Sequence, residues 1–399
     1  NITGSYDWDM NAKYLYLDGD LTTNGTGTTS YDASNGKFYS TGTGVIYMNG
    51  TANQDIGSFN STGVNLYIDK TSGTVSANGY IYCNYINLGL NTSSTQTGKF
   101  LINNETVKTR YNMNLYSGTM QVTGGLLHMS NNSSSGVIIY DPCTLDVDGG
   151  EVRVGDANQD YYADIVMSGG VIDISGGTVN ICDELDVSST SSNTITISGG
   201  TLNIGSYTGT SNGSSAHRFD MDAGTLNLTG GTINIKGQRS SSSYDALQLA
   251  SGVNVNATTN NTINIMNGAG TSNENMYLLI NANELGNLTI SNTGYTVYAE
   301  DPIDLKGDLT ITSGTFNNTN QSITLEGSYI NNGGTFTSTG GNLTFDGAGD
   351  VTCDALSNSA TSLYISKTSG GSVTTTDDSD FNFIYINSGS YIIDGETIT

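Results

Sequence analysis

A cation site is the first chemistry that the side chains suggest. The stretch VGDANQDYYADI (residues 154–165) puts Asp156, Asn158 and Asp160 at alternate positions, with Asp164 in the ninth. Alternating carboxylate and carboxamide oxygens in a short loop are how calcium is commonly held. The match is incomplete: Tyr161 stands where such a loop turns on glycine, and Met167 where it closes on a bidentate glutamate. A solvated acidic turn explains the same residues and is the preferred reading. Calcium is therefore the one cofactor to test, and no other is expected.

Catalytic groupings are harder to assemble. His128 alternates outward between Leu127 and Met129, and His217 lies beside Arg218 in a serine-rich stretch. Neither belongs to a nucleophile–base motif. Glycoside hydrolysis needs two carboxylates at a set separation, and with 37 Asp and Glu some pair will meet that by accident. A polysaccharide lyase needs clustered Arg or Lys beside its carboxylates, whereas the 12 basic residues here are scattered, Arg153 near Asp156 being the nearest approach. An enzyme is not expected.

Two further residue types could do chemistry. Tyr80, Tyr82 and Tyr85, or Tyr161 and Tyr162, could stack on sugar rings, but aromatic ladders between strands explain them without a ligand. Cys83, Cys143 and Cys353 share parity with apolar neighbours such as Ile81, Leu145 and Val351, which reads as inward-facing small hydrophobes. Cys182 has the opposite parity from Ile181 and is less clear. No cysteine spacing resembles a zinc site.

These side chains must be carried by strands. In ITISGGTLNI (residues 195–204) apolar residues alternate on both sides of a glycine pair, the pattern of half-buried strands joined by a tight corner. MQVTGGLLHM, LDVDGGEVRV, IVMSGGVIDI and FDMDAGTLNL repeat the form. Corners at Gly124, Gly149, Gly169, Gly199, Gly224 and Gly314 recur at about 20 to 30 residues, the length of one solenoid turn. No stretch of helical period competes with them. The fold class expected is all-β: a parallel β-helix (β-solenoid), right-handed by the general preference of crossovers. About 18 turns at roughly 4.8 Å would give a rod on the order of 85 Å. Residues 1–399 are read as one continuous solenoid.

A longer repeat flanks the middle. NLYIDKTSGTV (residues 65–75) recurs as SLYISKTSGGSV (362–373), so that Leu66, Tyr67, Ile68, Lys70, Thr71, Ser72 and Gly73 return as Leu363, Tyr364, Ile365, Lys367, Thr368, Ser369 and Gly370. The match continues upstream, from residues 36–50 to 334–347, and downstream, from 98–107 to 389–398. Units 36–107 and 334–398 thus enclose a run of shorter turns over 118–307. Neither terminal stretch reads as a solenoid cap, and the last residues stop inside the repeat. Contact between the ends of copies of the chain, or excision from a longer array, is the expectation.

The segment DLTITSGTFNNTNQSITLEGSYINNGGTFTSTGGNLTFDGAGD (residues 308–350) resembles the β-strand repeats of very large secreted bacterial surface proteins, as do residues 36–107 and 308–399. The resemblance implies export, a cell-surface or extracellular location, and a β-helical stalk or adhesin role. It supplies no catalytic residues. The formal net charge of −25 would repel nucleic acid and anionic lipid, and no apolar run approaches the roughly 18 residues of a membrane helix. Self-association into a homopolymer is the expected partnership, with surface glycans as the candidate ligand. The expected function is an extracellular structural segment of a filament, sheath or adhesin stalk. The alternative is a polysaccharide-active enzyme or a carbohydrate-binding adhesin on the same fold.

Overall fold

The computed structural model describes residues 8–9, 13–21, 38–39, 42–93, 95–129, 136–155, 163–190, 192–205, 218–237, 245–267 and 275–398. Its strands stack in parallel as a β-solenoid of about 13 turns, without helices among the described residues. The expected count of about 18 is too high, because the step between turns is not fixed at the short end of its range. It is 20 residues where Ser328 bonds Asp308 and 30 where Asn264 bonds Asn234. The chain divides into two compact units, residues 1–202 and 203–399.

In the first unit, one column of strands runs through Gly44–Gly50, Val64–Lys70, Tyr85–Leu88, Met113–Leu115, Val137–Tyr140, Ile165–Ser168 and Leu185–Val187. Strict alternation decides what this column buries. Ile46, Leu66, Ile86, Met113, Val137, Ile165 and Leu185 lie directly over one another and are all buried. Each such side chain taken from water contributes roughly 1.5–3 kcal/mol. Repetition of like on like is what lets so narrow a core suffice.

The turns change shape partway along this unit. Thr74–Cys83 is one long strand, yet its start pairs with Lys99–Ile102 and its end with Thr106–Thr109. From there each turn has three strands rather than two, and the added corner is the glycine pair. Gly150, Gly177 and Gly200 have φ of +67°, +65° and +65°. A Cβ on them would lie 2.6, 2.6 and 2.7 Å from the backbone carbon of Gly124, Gly149 and Gly176 on the preceding turn. Two demands, a left-handed backbone and contact with the backbone below, exclude every other residue.

The corners are not all alike, which corrects the equivalence expected from sequence. Gly169–Gly170 belongs to a different corner, between Ile165–Ser168 and Val171–Ile174, whereas Gly176–Gly177 continues the stack. Gly224 and Gly314 sit inside the continuous strands Phe219–Leu228 and Leu309–Asn317. There the strand bends without ending, with a register shift beside Gly224 between Met221 and Ala223.

In the second unit, Asn287–Ala299 again serves two columns, pairing Thr262–Asn267 through its first half and Met276–Ile280 through its second. A five-stranded parallel sheet follows: Ile303–Leu305, Ile323–Leu325, Asn342–Phe345, Ser357–Ser366 and Asp380–Ser388. Ile303, Ile323, Leu343 and Leu363 form its inner column. Cys83, Cys143 and Cys353 are buried free thiols, and Cys182 is buried as well, its position on a bend having obscured its parity.

Candidate functional site

The calcium candidates do not form a described site. Asp156, Asn158 and Asp160 lie outside the described residues. Asp164 accepts a hydrogen bond at 3.1 Å from the Glu184 backbone N–H, a turn-fixing role. Among the described residues no three His, Cys, Asp or Glu side chains are gathered to hold a metal ion.

Two of the arginines are engaged by close neighbours in sequence. Arg153 makes a 2.7 Å ion pair with Glu151, two residues away on its own strand, and Arg218 pairs with Asp220 at 3.0 Å. His128 is only 5% exposed, although alternation reads it as outward. It lies in register between Lys108 and Arg153 on the neighbouring strands, and its Nε2 is 3.0 Å from the Gly155 carbonyl. His217 lies outside the described residues.

The tyrosines form ladders. Tyr16, Tyr47 and Tyr67 are in register on successive strands, with ring centroids 4.7 and 4.9 Å apart. Tyr85 stacks on Tyr111, and Tyr116 on Tyr140. In the second unit Tyr277 stacks on Tyr298, and Tyr364 on Tyr385. The spacing is that of adjacent strands, so each ring covers its neighbour's face. Ring faces are what a sugar would stack upon, and among the described tyrosines Tyr14 and Tyr16 are the most open, both more than 60% exposed. Tyr161 and Tyr162 lie outside the described residues.

Carboxylates form ladders too. In the first unit Asp146 and Asp173 are in register. Gln121 donates to Asp146 at 2.9 Å and to Asp148 at 2.7 Å, and itself accepts from Lys99 at 2.8 Å. Desolvation, reinforced by Asp148, pushes Asp146 and Asp173 above the usual carboxylate range. In the second unit Asp304 is raised furthest, from 3.8 to about 6. Partial burial is the largest cause, followed by repulsion from Glu284, Asp346 and Glu326, with Lys306 opposing.

The long repeat encodes a buried lysine, which the sequence displays by recurrence without revealing a role. Lys70 and Lys367 are each 1% exposed. Lys70 Nζ donates to the Asn49 carbonyl at 3.2 Å and to Gln54 Oε1 at 2.7 Å. Lys367 Nζ donates to the Glu326 carbonyl at 3.3 Å. The matching glycines meet the same side chains: a Cβ at Gly98 would be 2.4 Å from Lys70 Cβ, and one at Gly389 would be 2.7 Å from Lys367 Cβ. Burial lowers both lysines from their ordinary value, opposed by Asp18 at Lys70 and by Asp346, Glu326 and Asp350 at Lys367.

One face carries the core pattern into solvent. In Asp380–Ser388, Ile384 and Ile386 lie in register with buried Leu363 and Ile365, yet Ile386 is 55% exposed. Phe383, Ile392 and Ile393 beside it are exposed as well. No family model matches this chain, and neither a curated protein nor a solved structure proved similar to it. The stacked parallel turns therefore define its class by geometry alone: it is a β-solenoid.

Proposed function

We propose that this chain is a non-enzymatic, extracellular structural segment that associates with copies of itself through the faces of its turns, as part of a surface filament, sheath or stalk. The observation that carries the reading is like-on-like stacking: Ile303, Ile323, Leu343 and Leu363 lie directly over one another, so that each turn presents a face fitting another of its kind. Ile384 and Ile386 extend a buried column, and the backbone there has the same parallel strand geometry as every turn within the molecule. A surface shaped like the inside of the fold is best covered by another turn of the same kind, through parallel strand pairing and apolar burial together. Acidic side walls repel one another laterally and so favour contact along the strand-stacking direction. Nucleic acid and anionic lipid are disfavoured partners for the same reason, and among the described residues no helix is long and apolar enough to cross a membrane. Location outside the cell rests on the resemblance to secreted repeats.

Imaging by negative stain, with sedimentation over a concentration series, tests the proposal. Fibres or concentration-dependent oligomers are expected for the native chain, and dispersed particles for the double variant Ile386→Lys, Ile393→Lys. Monomers at every concentration would overturn it. Surface glycans are the second reading, favoured by the open rings of Tyr14 and Tyr16. A glycan-binding and cleavage screen, with a Tyr16→Ala control, distinguishes an adhesin or a carbohydrate-active enzyme from a structural segment.

A further inference from the structure

We propose that Lys70 and Gln54 join in an intramolecular isopeptide bond that clips one turn of the first unit to the next. The two side chains are 1% and 2% exposed and meet with Nζ 2.7 Å from Oε1. The carboxamide is clamped from its other end, since Gln54 Nε2 donates to the Leu17 carbonyl at 3.0 Å and to the Gly19 carbonyl at 2.8 Å. The acyl carbon Cδ therefore lies at most one C=O bond, about 1.2 Å, further from Nζ than Oε1 does. Two reactants fixed this way and shielded from water form an effectively unimolecular pair.

Desolvation favours the neutral amine, which is the nucleophilic form. The lone pair of Nζ attacks Gln54 Cδ, the Cδ–Nε2 bond breaks, and Nε2 leaves as ammonia with the proton given up by Nζ. One amine and one carboxamide become one secondary amide and one ammonia, with no change of oxidation state. Asp18 is the carboxylate whose charge acts on the Lys70 amine, and the proton transfer is assigned to it. Its Oδ1 lies where a Cβ on Gly50 would be, and Gly50 is the register partner of Lys70. The product also removes a difficulty of the unreacted state, because a buried ammonium becomes a neutral amide.

Lys367 provides a control within the molecule. It occupies the corresponding glycine–lysine–glycine stack, but its Nζ bonds a backbone carbonyl, and its charge is balanced by Asp346, Glu326 and Asp350 instead of facing a glutamine. It remains an amine.

Intact-mass measurement and peptide mapping of the native chain are the test, and both read the bond whether or not copies of the chain associate. The expected result is a mass one ammonia below that of the sequence, with a branched peptide joining Gln54 to Lys70 and with Lys367 still cleavable by trypsin. Lys70→Met should restore the full expected mass, and Asp18→Asn should slow the loss of ammonia. A chain of unaltered mass would overturn the proposal and leave an ordinary hydrogen bond. So would an ammonia loss mapped to an asparagine–glycine succinimide, for which Asn49–Gly50 and Asn78–Gly79 are available. Unchanged ammonia loss in Asp18→Asn would remove Asp18 from the step.

Discussion

Side-chain absence is the strongest demand that this fold makes on a single residue. At Gly177 the backbone is left-handed and a Cβ would strike the carbonyl carbon of Gly149 at 2.6 Å. Backbone has no rotamer with which to move aside, so relief would require adjacent turns to separate and weaken their ladder. Gly177→Ala should cost roughly 2 kcal/mol or more, combining conformational strain and overpacking. Gly349 has nothing within 4 Å of its hypothetical Cβ and no left-handed φ. Gly349→Ala should be neutral or stabilising by about 0.4–1 kcal/mol, through a less flexible unfolded chain. Urea denaturation of the two variants against the native chain checks the contrast, and equal losses would refute the packing account. The buried lysines follow the same logic in reverse: Lys70 and Lys367 extend along the corner because Gly98 and Gly389 leave room for their stems.

Elements were legible in the sequence where one strand face is buried. Alternation gives the inward columns directly, as at Ile195 and Ile197 or Leu363 and Ile365. It fails where burial comes from lateral neighbours, as at His128, or where a strand bends without stopping, as at Gly224 and Gly314. The candidate site was less visible because ladders depend on which turns become neighbours. Asp304 is an example, since the groups that perturb it, Glu284, Asp346 and Glu326, are distant in sequence and converge only by stacking. A carboxyl raised from 3.8 to about 6 binds its proton more tightly in the folded state. The resulting stability is fully present below about pH 3.8 and is lost as pH rises through about 6. Asp304→Asn should remove this dependence and stabilise the protein at neutral pH. Thermal melts of both chains between pH 4 and 7 read it out, and parallel curves would show that Asp304 is not the titrating group.

Over the molecule as a whole, energy is distributed by nearest neighbours. Within each unit a turn rests on the turn before and the turn after, so stability is a sum of local terms and boundary terms, without one shared centre. A cavity should therefore be felt locally. Ile172 is buried between Leu145 on one side and Ile195 on the other. Ile172→Ala should cost about 2–5 kcal/mol at that place, and hydrogen exchange should report where the loss is felt. Amides of Thr144–Val147, Val171–Ile174 and Thr194–Ile197 should exchange faster. Those of Gly44–Gly50 and Val64–Lys70, several turns away in the same unit, should keep their protection. Uniform acceleration across the first unit would mean that it opens as a single cooperative block, and would set aside the nearest-neighbour description. If protection is lost only near Ile172, each added turn strengthens only its immediate neighbours. Coverage of the exposed face at Ile386 by another copy would then stabilise the adjoining turns of the second unit through the same local coupling. Exchange at Asp380–Ser388 should slow as protein concentration rises, while exchange at Val64–Lys70 stays constant.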